Sequence, residues 1–308
     1  MTNPEDFRSG FACLVGRPNA GKSTLTNAMV GSKIAITSDR PQTTRRVVRG
    51  IVNRPDAQLI IVDTPGLHRP RTLLGERLND LVYATWTEVD VIGFCLAADE
   101  KTGPGDKFLA GELAKIQRTA VDVVVTKTDV ATPEQVMQRL AEAQQLCEEV
   151  ELKVRNFVPV SAVDGNNVDE LIGLFTSDLP EGPPLYSGDT ITDEPEEAMI
   201  AELIREAALT EVDDELPHSV AVTIDEMSLR EDRPDDKPLL DIHATIHVER
   251  ESQKPIIIGK KGAKLKRIGS NARQGIVKLI GMPVYLNIHV RVAKEWQRDS
   301  KQLRRLGF

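Results

Sequence analysis

Gly16-Arg17-Pro18-Asn19-Ala20-Gly21-Lys22-Ser23 has the spacing GxxxxGKS. This spacing suits the cradling of nucleotide phosphates. Its glycines let the backbone curl so that successive N–H groups point at phosphate oxygens. A helix starting at the end of the motif adds partial positive charge. Lys22 can reach the β- and γ-phosphates, and the Ser23 hydroxyl can ligate Mg²⁺. The apolar run Phe11–Val15 leads in, and Thr24 to Val30 can continue as a helix. The motif therefore sits between a strand and a helix N-terminus, which a chance glycine-rich turn need not do.

Three further clusters stand in an order that fits the same chemistry. Asp63-Thr64-Pro65-Gly66 follows the apolar run Leu59–Val62. There Asp63 is expected to hold Mg²⁺ through water, and the Gly66 N–H to meet the γ-phosphate. Thr126-Lys127-Thr128-Asp129 follows Val121–Val125 and resembles the guanine-reading motif NKxD. The Asp129 carboxylate would accept from two guanine N–H groups; adenine's ring acceptor would leave it unpaired. Lys127 would lay its stem over the base. Thr126 departs from the usual Asn, which braces this loop against the phosphate loop, and an adenine nucleotide stays open as an alternative on that ground. Ser161-Ala162, after Phe157–Val160, looks like the last guanine motif, with the Ala162 N–H on the guanine carbonyl. Asp39 to Arg45 is expected to be the first switch segment. Of Thr43 and Thr44, Thr44 is expected to close over Mg²⁺; the other reading is a helix cap or ordinary turn.

These clusters need a scaffold of strands alternating with helices. Residues 11 to 178 supply it: apolar runs at Phe11–Val15, Val47–Val52, Leu59–Val62, Val91–Ala97, Val121–Val125 and Phe157–Val160 alternate with helical patterns. The expected fold is α/β, a doubly wound, mostly parallel sheet. The short turn Asn53–Asp56 makes a hairpin, so one edge strand should be antiparallel. Residues 1–178 form the expected first domain. Residues 179–197 read as a linker rich in Pro, Gly and acidic side chains. Residues 198–308 read as a small α+β domain with three period-two strands and the turn Gly259-Lys260-Lys261-Gly262 between two helices.

The chain of 308 residues carries a net charge of −8, unevenly spread. From Arg250 on there are 15 Lys+Arg against 3 Asp+Glu; before it, 24 against 44. A basic block ending an acidic chain suggests a polyanion partner. Its GxxG turn lets a nucleic-acid backbone approach with no Cβ in the way. Lys260 and Lys261 place charge beside the phosphates, and Lys264, Lys266 and Arg267 extend that field. Ile258 ends an apolar run, Pro255–Ile258, that packs the helix before the turn. With only Tyr285 and Trp296 nearby, backbone clamping should outweigh stacking. His243 and His247 alternate with apolar residues on one strand, so an exposed or RNA-facing position is expected, not a metal site. The three cysteines form no CxxC pair, which suits a reducing cytosol. Met1 to Gly10 is polar and no apolar run approaches ~20 residues, so neither a secretory signal nor a membrane span is expected.

Together, Gly-Arg-Pro-Asn-x-Gly-Lys-Ser, Pro-Gln-Thr-Thr-Arg, Asp-Thr-Pro-Gly-Leu and the segment Val248–Gly269 around Gly259-Lys-Lys-Gly262 resemble the Era family of bacterial GTPases over nearly the whole chain. The resemblance implies a P-loop GTPase domain followed by a type II KH domain. It implies hydrolysis of GTP to GDP and phosphate, Mg²⁺ as cofactor held by Ser23, Thr44 and Asp63, and RNA binding by Ile258 to Gly262, Lys264, Lys266 and Arg267. The family's RNA is 16S ribosomal RNA near its 3′ end, which implies a role in maturation of the 30S subunit, as a cytoplasmic monomer. A peripheral position at the inner membrane face is known for the family only. Leu67 follows Asp-Thr-Pro-Gly where many GTPases carry a water-orienting Gln, so turnover should be slow, ~10⁻⁴ to 10⁻² s⁻¹. Asn19 has two readings, a K⁺ ligand that replaces an arginine finger or a brace within the loop. A tRNA-modification-type GTPase and a nucleotide-controlled protein scaffold without RNA are the alternatives.

Overall fold

β1 (Arg8–Val15) runs through the middle of a six-stranded sheet and delivers the chain to the phosphate loop. The computed structural model describes residues 7–37, 43–67, 70, 72–116, 118–212, 219–231, 233–234 and 237–308. Residues 39–42 of the expected switch segment and His68 lie outside the described residues. The chain divides into two units. Ile36–Thr43, Pro70–Glu76 and Glu194–Phe308 make up the second; the rest makes up the first.

In the first unit β1 is followed by α1 (Lys22–Val30), β2 (Val48–Asn53), β3 (Ala57–Asp63), α2 (Leu73–Glu88), β4 (Val91–Ala97), α3 (Pro104–Leu113), β5 (Ala120–Thr126), α4 (Pro133–Glu149), β6 (Phe157–Pro159) and α5 (Val168–Ser177). The strand order is β2-β3-β1-β4-β5-β6. β2 runs antiparallel to β3, as the short turn implied, and the other neighbours are parallel. Near-continuous apolar strands such as Leu59–Val62 and Phe94–Ala97 fit this arrangement, because helices cover both faces of a parallel sheet. One face packs Val82, Trp86 and Leu109; the other packs Leu25, Leu171 and Phe175. The chain passes from β1 to β3 on one side, then from β3 back across β1 to β4 on the other. That reversal opens a crevice at the carboxyl ends of the strands.

The expected linker is not free over most of its length. The Ile51 N–H donates to the Ile191 carbonyl at 2.9 Å and Thr192 Oγ1 to the Arg49 carbonyl at 2.7 Å, which covers the open edge of β2. Gln58 is 1% exposed. Its Oε1 accepts from the Leu185 and Tyr186 N–H groups at 2.7 and 2.8 Å. Its Nε2 donates to the Tyr186 carbonyl and to Asn53 Oδ1. Pro and Gly correctly mark a stretch without helix or strand. What they do not reveal is the buried amide more than 120 residues away that fixes it.

The second unit has α6 (Glu196–Glu211), β7 (Ala221–Leu229), β8 (Leu240–Val248), α7 (Lys254–Ile258), α8 (Ala263–Ile280), β9 (Val284–Val292) and α9 (Ser300–Arg305). α6 thus begins inside the expected linker. β8 lies between antiparallel β7 and parallel β9. Ile200, Ile204 and Ala208 of α6 and Ile268, Ala272 and Ile276 of α8 pack with Ile242, Ala244 and Ile246 of β8. The opposite face of β8 is less open than its alternation suggests. Thr245 is fully buried and donates to Asp225 Oδ2 at 2.6 Å, across a bulge between Ile224 and Glu226. His247 is half-buried, 2.9 Å from Thr223 Oγ1, and burial holds its imidazole below the usual range. Trp296 is also buried. Its indole N–H donates to the Ser219 carbonyl at 3.1 Å and its ring stacks on Phe308. It is therefore not available to stack on a base.

Gln58→Met should cost about 1–3 kcal/mol, because it removes both acceptor and donor and leaves the Leu185 and Tyr186 N–H groups unpaired. Thermal unfolding should fall by a few degrees. Limited proteolysis should then cut within residues 183–192 of the variant but not of the wild type.

Candidate functional site

Four of the motifs stand at the carboxyl end of a parallel strand, Gly16–Ser23 after β1, Asp63 at the end of β3, Thr126 at the end of β5 and Ser161 just after β6, while Thr44 precedes the antiparallel β2. The phosphate loop turns on Asn19 (φ 63°) and Gly21 (φ 82°), both in the left-handed region. Gly21 precedes α1 with no side-chain cap, so the first N–H groups of that helix remain available to an anion. Lys22 folds back over the loop, its Nζ donating to the carbonyls of Gly16 and Arg17 at 2.9 Å each. Burial lowers its pKa and the nearby Asp63 carboxylate opposes that shift.

Asp63 has no solvent exposure. Its Oδ2 accepts from Ser23 Oγ at 2.8 Å, and Ser23 Oγ lies 3.1 Å from Thr44 Oγ1. Burial raises the Asp63 pKa; Ser23, Lys22 and Thr44 each oppose it. Asp63 Oδ1 is buried with no hydrogen-bond partner among the described residues. Two hydroxyls, a buried carboxylate and an orphaned oxygen fit a hard divalent cation that keeps several waters and takes the rest of its shell from phosphates. No cluster of three His, Cys, Asp or Glu residues able to hold a metal exists among the described residues, so the phosphates would have to complete this shell.

The base side of the site forms around β5 and β6. Thr126 Oγ1 donates to the Ala20 carbonyl at 2.7 Å. The hydroxyl thus makes the brace between base loop and phosphate loop for which an Asn was expected. Lys127 takes a left-handed conformation (φ 58°) and starts the tight turn Thr128–Val130. Its ammonium lies 3.7 Å from Asp99. The exposed Asp129 is oriented from behind, because buried Ser161 donates to its Oδ1 at 2.9 Å. Ala162 follows and packs against the cluster of Leu171 and Phe175. Thr64 is buried beside Asp63, and Pro65 and Gly66 lead out toward Leu67. Leu67 packs against the apolar cluster of Val82, Trp86 and Leu109.

Arg17 reaches from the phosphate loop to α3. Its backbone belongs to the phosphate loop, but its guanidinium points away. It bonds Asp106 Oδ1 at 2.9 Å and pairs with Glu100. Asp106 also caps α3 through the Gly103 N–H at 2.9 Å and faces the buried Arg139 at 3.6 Å. Sequence reasoning missed Glu100, Asp106 and Arg139. Only the acidic start of α3 hinted at them, and that reads equally well as an ordinary helix N-terminus.

In the second unit, Gly259 (φ 71°), Lys261 (φ 52°) and Gly262 (φ 78°) turn the chain between α7 and α8. A Cβ on Gly259 would lie 2.6 Å from the Lys264 Cβ, whereas Gly262 has open space around it. Lys260, Lys261, Lys266 and Arg267 are exposed and Lys264 partly so. Arg267 already pairs with Glu211, its Nε donating at 2.9 Å. Ile257 enters the core and Ile258 packs against it, while Ile256 is exposed beside the turn.

The description of a 50S ribosome-binding GTPase family matches residues 11–149, and a KH-domain family matches residues 215–297. GTPase Era of Streptomyces coelicolor is 64% identical over 301 residues, covering 98% of this chain and 95% of that protein. GTPase Era of Mycolicibacterium smegmatis is 57% identical over 305 residues, covering 98% and 99%. Among solved structures, an Aquifex aeolicus Era variant bound to GDP·AlF4⁻ is 38% identical with a TM-score of 0.90, covering 98% and 99%. An Era complex with MgGDPNP and nucleotides 1506–1542 of 16S ribosomal RNA is 38% identical with a TM-score of 0.91 and the same coverage.

Thr126→Val should weaken GDP binding roughly tenfold, since it strands the buried Ala20 carbonyl. Thr126→Asn, which restores a donor, should stay within about threefold of wild type. Titration with a fluorescent GDP analogue measures both.

Proposed function

The chain belongs to the Era family of GTPases, and from that premise we propose that it is a GTP-hydrolysing switch that binds the 3′ region of 16S ribosomal RNA and assists maturation of the 30S subunit. The observation that carries the hydrolytic half is the cluster of Lys22, Ser23, Thr44 and Asp63. Gly16 to Thr24 hold the triphosphate by backbone N–H groups. Asp129, Ala162 and Lys127 read guanine. Ser23 and Thr44 are the hydroxyls that would ligate Mg²⁺, and Asp63 would hold its water. When bound, that ion would neutralise charge on the β- and γ-oxygens during in-line attack by water. Lys22 does the same from the protein side and needs no reorganisation, being already folded over the loop.

Leu67 can neither donate nor accept a hydrogen bond, so water must be oriented otherwise. Asn19, exposed at the crest of the phosphate loop, is assigned to K⁺ coordination. Hydrolysis in KCl should then exceed that in NaCl by about tenfold, 1.4 kcal/mol of barrier. Equal rates would leave Asn19 a loop brace only.

The RNA-binding half is supported by the GxxG turn at the uncapped start of α8 and by the lysines around it. Binding there should be salt-dependent, because lysines displace counterions from phosphates. We propose that it acts in the cytoplasm as a monomer. Among the described residues no helix is long and apolar enough to cross a membrane. Crosslinking RNA in cells and sequencing it should return the 3′ end of 16S RNA. Gly262→Asp fits the open space at that position, and Asp tolerates a left-handed φ better than most residues. It should weaken binding of that RNA at least tenfold, about 1.4 kcal/mol, with GTP hydrolysis near normal. Unchanged RNA affinity would reject the KH assignment.

A further inference from the structure

Arg205 of α6 is 1% exposed, an unusual place for a guanidinium. Its Nε donates to Glu202 Oε1 at 2.9 Å, and its Nη2 is shared between Glu202 and the backbone carbonyl of Thr43. The next residue, Glu206, accepts on Oε1 from the Thr37 N–H at 2.9 Å and from Thr37 Oγ1 at 3.3 Å. Two successive side chains of one helix therefore hold Thr37 and Thr43, which like α6 belong to the second unit. Thr43 is joined by one peptide bond to Thr44, the residue 3.1 Å from Ser23 in the cation-binding cluster.

The other side of α6 meets α8. Glu211 pairs with Arg267 at 2.7 Å, a Cβ on Gly275 would lie 3.4 Å from Leu203, and Ile200 and Ile204 share a core with Ile268 and Ile276. One helix thus holds the Thr43 carbonyl and packs against α8, which begins at the Gly259–Gly262 turn.

We infer that Arg205 and Glu206 are positioning residues that couple the nucleotide state sensed by Thr44 to the RNA affinity of the Gly259–Gly262 turn. The inference rests on the proposed RNA-binding switch and names its relay. The physical reason is the burial of Arg205. A guanidinium out of water needs its acceptors. If Thr44 leaves Ser23, it carries the Thr43 carbonyl with it and strips an acceptor from α6. The arrangement with Thr44 beside Ser23 and the grip of α6 therefore favour one another. Coupling of this kind is reciprocal.

The test uses the full chain and a synthetic RNA matching the 3′ end of 16S ribosomal RNA. RNA affinity is measured by fluorescence anisotropy with a non-hydrolysable GTP analogue and with GDP. The wild-type ratio should lie in the usual range for coupled sites, about 5- to 150-fold. Arg205→Met and Glu206→Ala should bring it to within about threefold of one, while Glu206→Gln, which keeps the acceptor, preserves it. The same factor must be lost from the effect of RNA on GTP-analogue affinity, a readout that mere loss of stability would not move. Glu206 is only half-buried, so Glu206→Ala keeps the test available if Arg205→Met fails to fold. Folded variants with the wild-type ratio overturn the relay and leave the switch standing. A wild-type ratio of one, with both ligands bound, overturns the switch and the relay together. Absence of RNA binding in the wild type rejects the RNA-binding reading itself.

Discussion

Asp63 is a carboxylate with no access to solvent, and much of the nucleotide site is arranged around keeping it charged. Burial alone would favour its neutral form. The Ser23 hydroxyl, the Lys22 ammonium and Thr44 oppose that. Lys22 depends on the same pairing, since burial favours its neutral form too. Each charge offsets part of the cost of burying the other, and one carboxylate oxygen still lacks a partner among the described residues. A site in this condition is preorganised for a cation and a polyanion arriving together. It has fixed its dipoles in advance and left their strongest potentials uncompensated.

Around this centre the sheet does the positioning and side-chain bonds do the fine adjustment. Parallel strands end together, so residues from β1, β3, β5 and β6 meet although more than a hundred positions separate the first from the last. Each loop is then tied to another. Thr126 ties the base loop to the phosphate loop, Ser161 ties the last motif to Asp129, and Arg17 ties the phosphate loop to α3 through a buried carboxylate. A loop held at one end only would spend binding energy on ordering itself. These ties have already spent it in folding.

The strand-helix alternation, the antiparallel edge, the position of the phosphate loop and the order of the second unit were all legible, because each rests on local patterns of period two or on residues adjacent in sequence. Thr126 was legible as a departure but not as an equivalent. Only the fold shows that its short hydroxyl reaches the Ala20 carbonyl. Glu100, Asp106 and Arg139 were not legible, because an ion-pair network has no spacing of its own; Asp106 of α3 and Arg139 of α4 meet only in the fold, and Glu100 joins them through Arg17. How residues 179–193 are held was not legible for a similar reason. Its composition says what it cannot form, while its order is imposed by Gln58 and the edge of β2. His247 was expected on an exposed or RNA-facing strand position, but the bulge beside Asp225 half-buries it, whereas Trp296 packs the last residues as its position at the final helix implied.

The position of Leu67 bears on what the switch is for. A side chain packed among Val82, Trp86 and Leu109 gives no hydrogen bond to the attacking water. On the proposed mechanism, Lys22 and the cation cluster would stabilise charge while Leu67 leaves the water without a side-chain guide, and intrinsic turnover would lie in the range of unassisted small GTPases, ~10⁻⁴ to 10⁻² s⁻¹. The triphosphate state would then last minutes to hours. Electrostatically steered association with RNA is faster by orders of magnitude. Binding would therefore equilibrate within each nucleotide state, and hydrolysis would set only how long that state persists. A protein built this way gains little from faster chemistry. On the proposed relay it would gain instead from the hold of the buried Arg205 guanidinium on the Thr43 carbonyl.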